Sequence, residues 1–463
     1  MRARTGLLIA GPVLAIAVAV LCAWNGLATP AAWTAAVAVL CAWWWVTEAI
    51  PLPATSLLPF VLLPAGGVLD ARVVARDLGD PLILLMLGGF LLGKGVERSG
   101  AHRRIAVTMV RAFGRFGRRG LVLGFMVATA FCSMWMSNSA TALMMLPVVL
   151  AVLDHEKGDD LAVPLLLGVA YAASIGGVGT PVGTPPNPIC LRAYRDATGE
   201  TIGFLRWMSF GVPLMLLLLP CAWWIVVRKV VPGPAAQVSP AGAWQRAERR
   251  MLVVFGLTVL AWLTRKLPFA GGGWSAWLGV EGVGDETVAL AAAVVVLALP
   301  HGDRPGERLL DWKSAASIPW DILLLFAGGI AIGSAFDASG LSKSLGDHLV
   351  ALRDLPLWLL IAIIAATVTL LSELASNTAI ANLLMPVLAA AATETGIDPL
   401  VLLVPATLAA SSGFMLPIAT PPNAIVYGSG RVPVRSMLRA GFALDVAGVV
   451  AITVVARFVL IPA

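Results

Sequence analysis

The chain has 463 residues, of which 59% are hydrophobic and 13% are charged, and its net charge is +6 at pH 7. Soluble domains carry about 25% charged residues, so this composition excludes an ordinary soluble protein and indicates a membrane protein with several spans. The cations lie in short loops, which is typical of positive-inside topology and not of a nucleic-acid-binding surface. The five cysteines are scattered and indicate neither a disulfide framework nor a metal site.

Apolar stretches of about 20 residues, the length that crosses a bilayer, recur along the chain. They lie at 7–27, 33–50, 81–98, 207–231, 251–267, 286–300, 318–336, 357–372, 400–417 and 437–461. No clear cleavage site follows the first stretch, so we expect it to be a retained helix with its N-terminus in the cytoplasm.

Polar features recur in the same order in the two halves of the chain. Three pairs match at nearly one offset: Gly88-Gly89 with Gly328-Gly329, Ser137-Asn138-Ser139-Ala140 with Ser376-Asn377-Thr378-Ala379, and Gly183-Thr184-Pro185-Pro186-Asn187 with Ala419-Thr420-Pro421-Pro422-Asn423. The chain is therefore predicted to contain two copies of one unit. Polar, helix-breaking residues at matching places in two apolar halves point to the binding site of a transporter.

Charge in the matching loops differs between the two copies. Residues 101–120 carry six arginines, whereas residues 341–360 carry one lysine and one arginine, balanced by two aspartates. Because cations favour the cytoplasmic face, the two loops are predicted to lie on opposite faces, as in inverted-topology repeats. The basic, proline- and glycine-containing segment 231–250 is predicted to be a cytoplasmic linker.

Each copy is predicted to form a re-entrant hairpin with Ser-Asn at its tip, then a helix broken at Thr-Pro-Pro-Asn, then a last span. The tips offer hydroxyl and amide groups and the N–H groups of a helix start, which suit a carboxylate. Their oxygen atoms also suit a small cation, and Ser133 and Ser372 lie one helical turn before the tips, where they could complete an oxygen cage. Ser-Asn also caps helices, but the duplication favours a binding site. Neither tip contains lysine, arginine or histidine, so bound cations would offset the charge of an anionic substrate.

These motifs resemble the divalent anion/sodium symporter (DASS) family, which carries di- and tricarboxylates and, in some members, sulfate. The resemblance covers nearly the whole chain and includes Trp43-Trp44-Trp45-Val46-Thr47-Glu48-Ala49-Ile50-Pro51, both tips and both Pro-Pro-Asn segments. It implies an all-α polytopic protein of the bacterial inner membrane, a homodimer in which a transport domain moves past a scaffold as an elevator. The implied scaffold comprises 1–118 and 251–355, the transport domain comprises 119–230 and 356–463, and 231–250 is the linker.

The resemblance also implies the site residues. One sodium ion would be bound by Ser133, Ser137, Asn138 and Gly183, and another by Ser372, Ser376, Asn377 and Ala419. Substrate carboxylates would contact Ser137, Asn138, Ser139, Ser376, Asn377 and Thr378, flanked by Thr184, Pro185, Thr420 and Pro421. The chain departs from the family at Ser139, Ile380 and Asn382. Asn382 either lines the site or forms a hydrogen bond within the bundle, and Glu373 is either a structural brace or a group that tunes the site.

The predicted function is sodium-coupled import of C4-dicarboxylates such as succinate, malate and fumarate. The alternatives are a dicarboxylate exchanger and a tricarboxylate or sulfate carrier of the same fold. An intramembrane enzyme is disfavoured, because the sequence lacks His-Glu-x-x-His, Gly-x-Ser-x-Gly and paired aspartates within spans, and ATP-driven pumping is disfavoured because it lacks a Walker-type phosphate loop.

Overall fold

The computed structural model describes residues 2–154, 159–235, 239–267, 272–342, 344 and 355–460, and within these ranges the protein is helical without strands. The helices of the first half are α1 (Arg2–Trp24), α2 (Thr29–Thr47), α3 (Leu52–Ser56), α4 (Leu58–Ala65), α5 (Ala71–Leu78), α6 (Pro81–Ser99), α7 (Ala101–Gly114), α8 (Gly117–Ser133), α9 (Asn138–Leu153), α10 (Ala162–Gly177), α11 (Pro186–Thr198) and α12 (Phe204–Val227). A short 3-10 helix at Asp159–Leu161 precedes α10.

The helices of the second half are α13 (Arg246–Arg265), α14 (Trp274–Trp277), α15 (Asp285–Ala298), α16 (Trp312–Ala315), α17 (Trp320–Ala338), α18 (Leu357–Leu374), α19 (Asn377–Thr395), α20 (Pro399–Ala410), α21 (Pro421–Gly428) and α22 (Val434–Val459). In the described residues, eight helical segments are long and apolar enough to cross a membrane. The protein is therefore a multi-pass membrane protein, as its composition predicts.

The predicted span at 400–417 is wrong in its second part, because α20 ends at Ala410 and residues 411–420 are irregular. The first half has the same construction, with α10 ending at Gly177 and α11 beginning at Pro186. Each half thus has an irregular segment between two helices, residues 178–185 in the first half and 411–420 in the second, which we call the interruption. The Pro-Pro pair lies where the interruption ends and the next helix begins. Proline is well suited to this position, since the first turn of a helix has no intrahelical partner for its N–H groups.

The two halves pack crosswise around these interruptions. Helix α9, which follows the first tip, packs against α21, and α11 packs against α19, which follows the second tip. The last helices of the two halves, α12 and α22, also pack against each other. Each tip helix therefore lies beside the helix that follows the interruption of the other half.

Residues of the first half hold the segment between the halves in place. The guanidinium group of Arg104 donates from Nε to Glu248 (2.8 Å) and from Nη2 to the carbonyl oxygens of Gly242 (3.0 Å) and Ala243 (2.8 Å). It also lies 4.2 Å from the ring centroid of Trp244. Arg104, one of the arginines of 101–120 that favour a cytoplasmic position, thus also anchors the predicted linker, and it does so from within α7. The comparison loop at Lys343–Asp354 lies outside the described residues apart from Ser344.

Candidate functional site

The first tip joins α8 to α9. The Ser137 hydroxyl caps α9 by accepting from the Ala140 N–H (3.3 Å), so the capping interpretation is correct for this tip. The Ser133 hydroxyl, which is fully buried, lies 2.7 Å from Asn138 Oδ1 and 2.7 Å from the carbonyl oxygen of Ala173. The structure therefore brings Ser133 to the tip, as predicted, although the contact is with Asn138 and crosses the break between α8 and α9.

The Asn138 carboxamide faces a group of oxygen atoms. Its inward atom lies 2.7 Å from Ser133 Oγ, 3.1 Å from Ala173 O and 3.3 Å from Gly183 O. If this atom is nitrogen, its two hydrogens are shared among these three oxygen atoms. If it is oxygen, four oxygen atoms converge without enough hydrogens between them, and a cation is needed to offset their repulsion. Small hard cations prefer such ligands, so the residues present fit a sodium ion.

The second tip, between α18 and α19, repeats this geometry. Ser372 Oγ lies 2.7 Å from Asn377 Oδ1 and 2.6 Å from the carbonyl oxygen of Ala410, and Ser372 is also fully buried. A Cβ atom added to Gly413 would lie 3.4 Å from Ser372 Oγ and 3.3 Å from Ala419 Cβ, so these three residues are neighbours. Ser376 forms no capping hydrogen bond with its side chain, and the capping interpretation therefore does not account for the second tip.

The remaining predicted residues lie in the tips or where the interruptions lead into α11 and α21. The outward atom of the Asn138 carboxamide lies 3.4 Å from Thr184 Oγ1, and Thr420 Oγ1 accepts from the Asn423 N–H at 3.4 Å. The predicted site residues differ in burial. Besides Ser133 and Ser372, the buried ones are Gly183, Thr184, Thr378, Ala419 and Thr420. The half-buried ones are Ser137, Asn138, Ser139, Pro185, Ser376 and Asn377, and Pro421 is exposed.

Two asparagines to which the sequence assigned no role fix the interruptions. Asn187 Nδ2 donates to the carbonyl oxygens of Gly177 (3.0 Å) and Thr180 (2.7 Å). Asn423 Nδ2 donates to those of Leu416 (3.0 Å) and Gly413 (3.5 Å). Both asparagines are fully buried, so each holds an irregular segment closed across its own interruption. The duplication of Pro-Pro-Asn was the signal that could have revealed this role.

The last helix of each half approaches its interruption closely. A Cβ atom on Gly211 would lie 2.2 Å from Val178 O, and one on Gly441 would lie 2.3 Å from Phe414 O. Trp207 Nε1 also donates to Val178 O at 3.0 Å. Only glycine permits these approaches, and the interrupted segments are thereby packed against α12 and α22.

Asn382 forms a hydrogen bond within the bundle, which was one of its two interpretations. Its Nδ2 donates to the carbonyl oxygen of Leu325 in α17 at 3.3 Å, and the residue is 3% exposed. It also lines a cavity of about 320 Å³ between α6, α11, α17 and α19. The charged residues in this cavity wall are Arg192, Asp196, Asp337 and Glu394. Arg192 contacts Asp80 at the start of α6 (2.5 Å) and Asp196 on its own helix.

Comparisons with known proteins agree with this construction. The citrate transporter family CitMHS matches residues 42–403. The chain is 36% identical to a protein named sodium-dependent dicarboxylate transporter SdcS from Staphylococcus saprophyticus, over 98% of this chain and 91% of that protein. It is 34% identical to SdcS of Staphylococcus aureus strain MW2, over 90% of this chain and 84% of that protein.

Two solved structures share the fold at low sequence identity. The YdaH transporter of Alcanivorax borkumensis has a TM-score of 0.58 at 16% identity, covering 83% of this chain and 86% of its own. MtrF of Neisseria gonorrhoeae has a TM-score of 0.59 at 13% identity, covering 85% of both chains.

Proposed function

The chain belongs to the citrate transporter family, which is of the divalent anion/sodium symporter type, and we propose that it imports C4-dicarboxylates together with sodium ions. It is a transporter and not an enzyme. Succinate, malate and fumarate are the substrates that we propose, and sodium is the coupling ion. The relatives' names support this choice of substrate and ion.

The observation that carries the proposal is the duplicated oxygen cluster. In each half, a buried serine hydroxyl, the asparagine of the tip and a backbone carbonyl oxygen converge within hydrogen-bond distance. We assign one sodium ion to Ser133, Ser137, Asn138 and Gly183, and the other to Ser372, Ser376, Asn377 and Ala419. The residues of the second site occupy the positions in the second half that match those of the first site.

The substrate carboxylates are assigned to the half-buried tips beside these ions. Hydroxyl groups, the carboxamide nitrogens and the N–H groups at the starts of α9 and α19 are the donors, and Thr184, Pro185, Thr420 and Pro421 form the flanks. Placing a dianion in a poorly solvated site is costly unless its charge is offset. Neither tip contains a cationic side chain, so the bound sodium ions supply that offset and couple the two solutes.

We propose alternating access by an elevator movement in a homodimer of the bacterial inner membrane, with the N-terminus in the cytoplasm. The scaffold would comprise 1–118 and 251–355, and the moving domain 119–230 and 356–463, arranged as inverted repeats. The crosswise packing of α9 with α21 and of α11 with α19 supports this division, because it joins the two tip regions into one body.

Uptake by proteoliposomes tests the proposal. An inward sodium gradient is expected to drive accumulation of labelled succinate, and unlabelled malate and fumarate should compete more strongly than citrate or sulfate. Uptake that needs internal dicarboxylate but no sodium gradient would instead establish the exchanger. Stronger competition by citrate or sulfate would establish a carrier of those anions.

A further inference from the structure

Hydrogen bonds join each interruption to the hairpin of its own half, but the donor and acceptor groups differ between the halves. In the first half, the Thr180 hydroxyl donates to the carbonyl oxygen of Met134, the residue that follows Ser133 in the hairpin. In the second half, the residue that follows Ser372 is Glu373, and its carboxylate accepts from the N–H groups of Met415 and Leu416, both at 2.8 Å.

These bridges occupy equivalent positions. Thr180 precedes Pro181 in the first interruption, as Leu416 precedes Pro417 in the second, and both pairs lie 236 positions apart. The first bridge therefore uses a side chain of the interruption and a backbone group of the hairpin, and the second uses a side chain of the hairpin and backbone groups of the interruption.

The second bridge is the more extensive one. Asp445 Oδ1, from α22, accepts from the Phe414 N–H at 3.2 Å. Three consecutive N–H groups of the interruption are thus bound by two carboxyl groups that are only 2% and 5% exposed, those of Glu373 and Asp445. Buried backbone donors need partners, and here side chains supply them where no helix does.

We propose that Glu373 is a positioning residue for the second sodium site. This inference rests on the proposed function. Glu373 follows Ser372 directly, and the segment that it binds leads to Ala419, whose carbonyl oxygen we assign to the same ion. The carboxylate therefore sets the separation between the hairpin ligand and the ligand from the interruption. It does not itself contact the ion or the substrate.

The test uses full-length protein in proteoliposomes and measures the sodium concentration that gives half-maximal succinate uptake. In Glu373→Gln, one amide oxygen replaces two acceptors, and the new NH₂ group faces a backbone N–H. We expect the half-saturating sodium concentration to rise about tenfold, the scale of one hydrogen bond to a charged group. Maximal uptake at saturating sodium should change little. Glu394→Gln, at the exposed far end of the same hairpin, is the matched control and should behave as the wild type.

A transplant of the first bridge provides a rescue. Glu373→Met alone removes the carboxylate, and the double variant E373M/L416T rebuilds the hydroxyl-to-carbonyl bridge that the first half uses. The double variant should return the half-saturating sodium concentration to within about twofold of the wild type, the usual scatter of additive effects. An unchanged sodium dependence in both Glu373→Gln and Glu373→Met would overturn the proposal, as would a double variant that is no better than Glu373→Met.

Hydrogen exchange keeps the bridge testable if a single variant fails to fold. The amides of Met415 and Leu416 should be protected in the wild type, and free exchange there would overturn the inference. If succinate uptake by the wild type does not depend on sodium, the proposed function is refuted. If uptake depends on sodium but the Met415 and Leu416 amide hydrogens exchange freely with solvent, only the Glu373 inference is refuted.

Discussion

Replacement of the two buried asparagines should destabilise the protein unequally. Asn187→Ala removes hydrogen bonds of 3.0 and 2.7 Å to two carbonyl oxygens, whereas Asn423→Ala removes bonds of 3.0 and 3.5 Å. A buried polar group left without its partner costs about 1–3 kcal/mol. Because the 3.5 Å contact is at the limit of a hydrogen bond, we expect a loss of roughly 2–6 kcal/mol for Asn187→Ala and roughly 1–3 kcal/mol for Asn423→Ala.

The assay is thermal unfolding of the purified variants in detergent, without substrate and at fixed sodium concentration. The midpoint temperature should fall in the order wild type, Asn423→Ala, Asn187→Ala. Asn187→Asp is the matched control for shape, because it keeps the side-chain volume but places an acceptor against two acceptors. It should be at least as damaging as Asn187→Ala. If Asn187→Ala unfolds at the wild-type temperature, or if Asn423→Ala is the less stable variant, the role assigned to these hydrogen bonds is wrong.

Three further predictions concern the tips, the last helices and the half-buried ion pair of Arg118 and Asp160. Asn138→Ala and Asn377→Ala should each abolish succinate uptake while the protein stays folded, and normal uptake by either would refute the assignment of that tip. Gly211→Ala should lower the unfolding temperature, since its Cβ would lie 2.2 Å from Val178 O, whereas Gly256→Ala, where no atom lies within 4 Å, should not. Hydrogen bonding to Arg118 lowers the pKa of Asp160 in the folded protein. The contact therefore stabilises the folded state fully above the pKa of an unfolded aspartate, about 3.9. This stabilisation is lost as the pH falls through the lowered pKa of the folded state. Thermal stability of the wild type should therefore decline at low pH more steeply than that of Asp160→Asn, and parallel curves would contradict this.

The repeat and the positions of both tips could be predicted from the sequence, because polar residues at matching places in apolar halves are rare and specific. The sequence also placed Ser133 and Ser372 beside the tips, but it gave a helical turn as the reason; in the structure α8 ends at Ser133 and α9 begins at Asn138, so the turn between the helices makes the contact. The end of α20 could not be predicted in this way. Residues 411–413 are Ser-Ser-Gly, but Phe414, Met415, Leu416 and Ile418 continue the apolar pattern beyond them. In the structure the N–H groups of this segment are bound by the carboxyl groups of Glu373 and Asp445, which the local sequence does not show.

The contact of Asn382 could not be predicted from the sequence either, because it depends on how two helices pack. Its place one turn after Thr378 allowed both a site role and a bond within the bundle. The outcome depends on α17, whose Gly329 leaves room for the carboxamide; a Cβ there would lie 2.1 Å from Asn382 Oδ1. A contact between helices so distant in the chain cannot be read from either helix alone.

Equilibrium binding of succinate at varied sodium concentration tests the central claim most directly. If sodium ions in the two oxygen clusters offset the charge of the substrate, succinate affinity measured on the purified protein should rise with sodium concentration and stay low in choline. Sodium affinity should rise by the same factor when succinate is present, since coupling between two ligands is reciprocal. Equal succinate affinity in sodium and choline buffers would contradict sodium coupling.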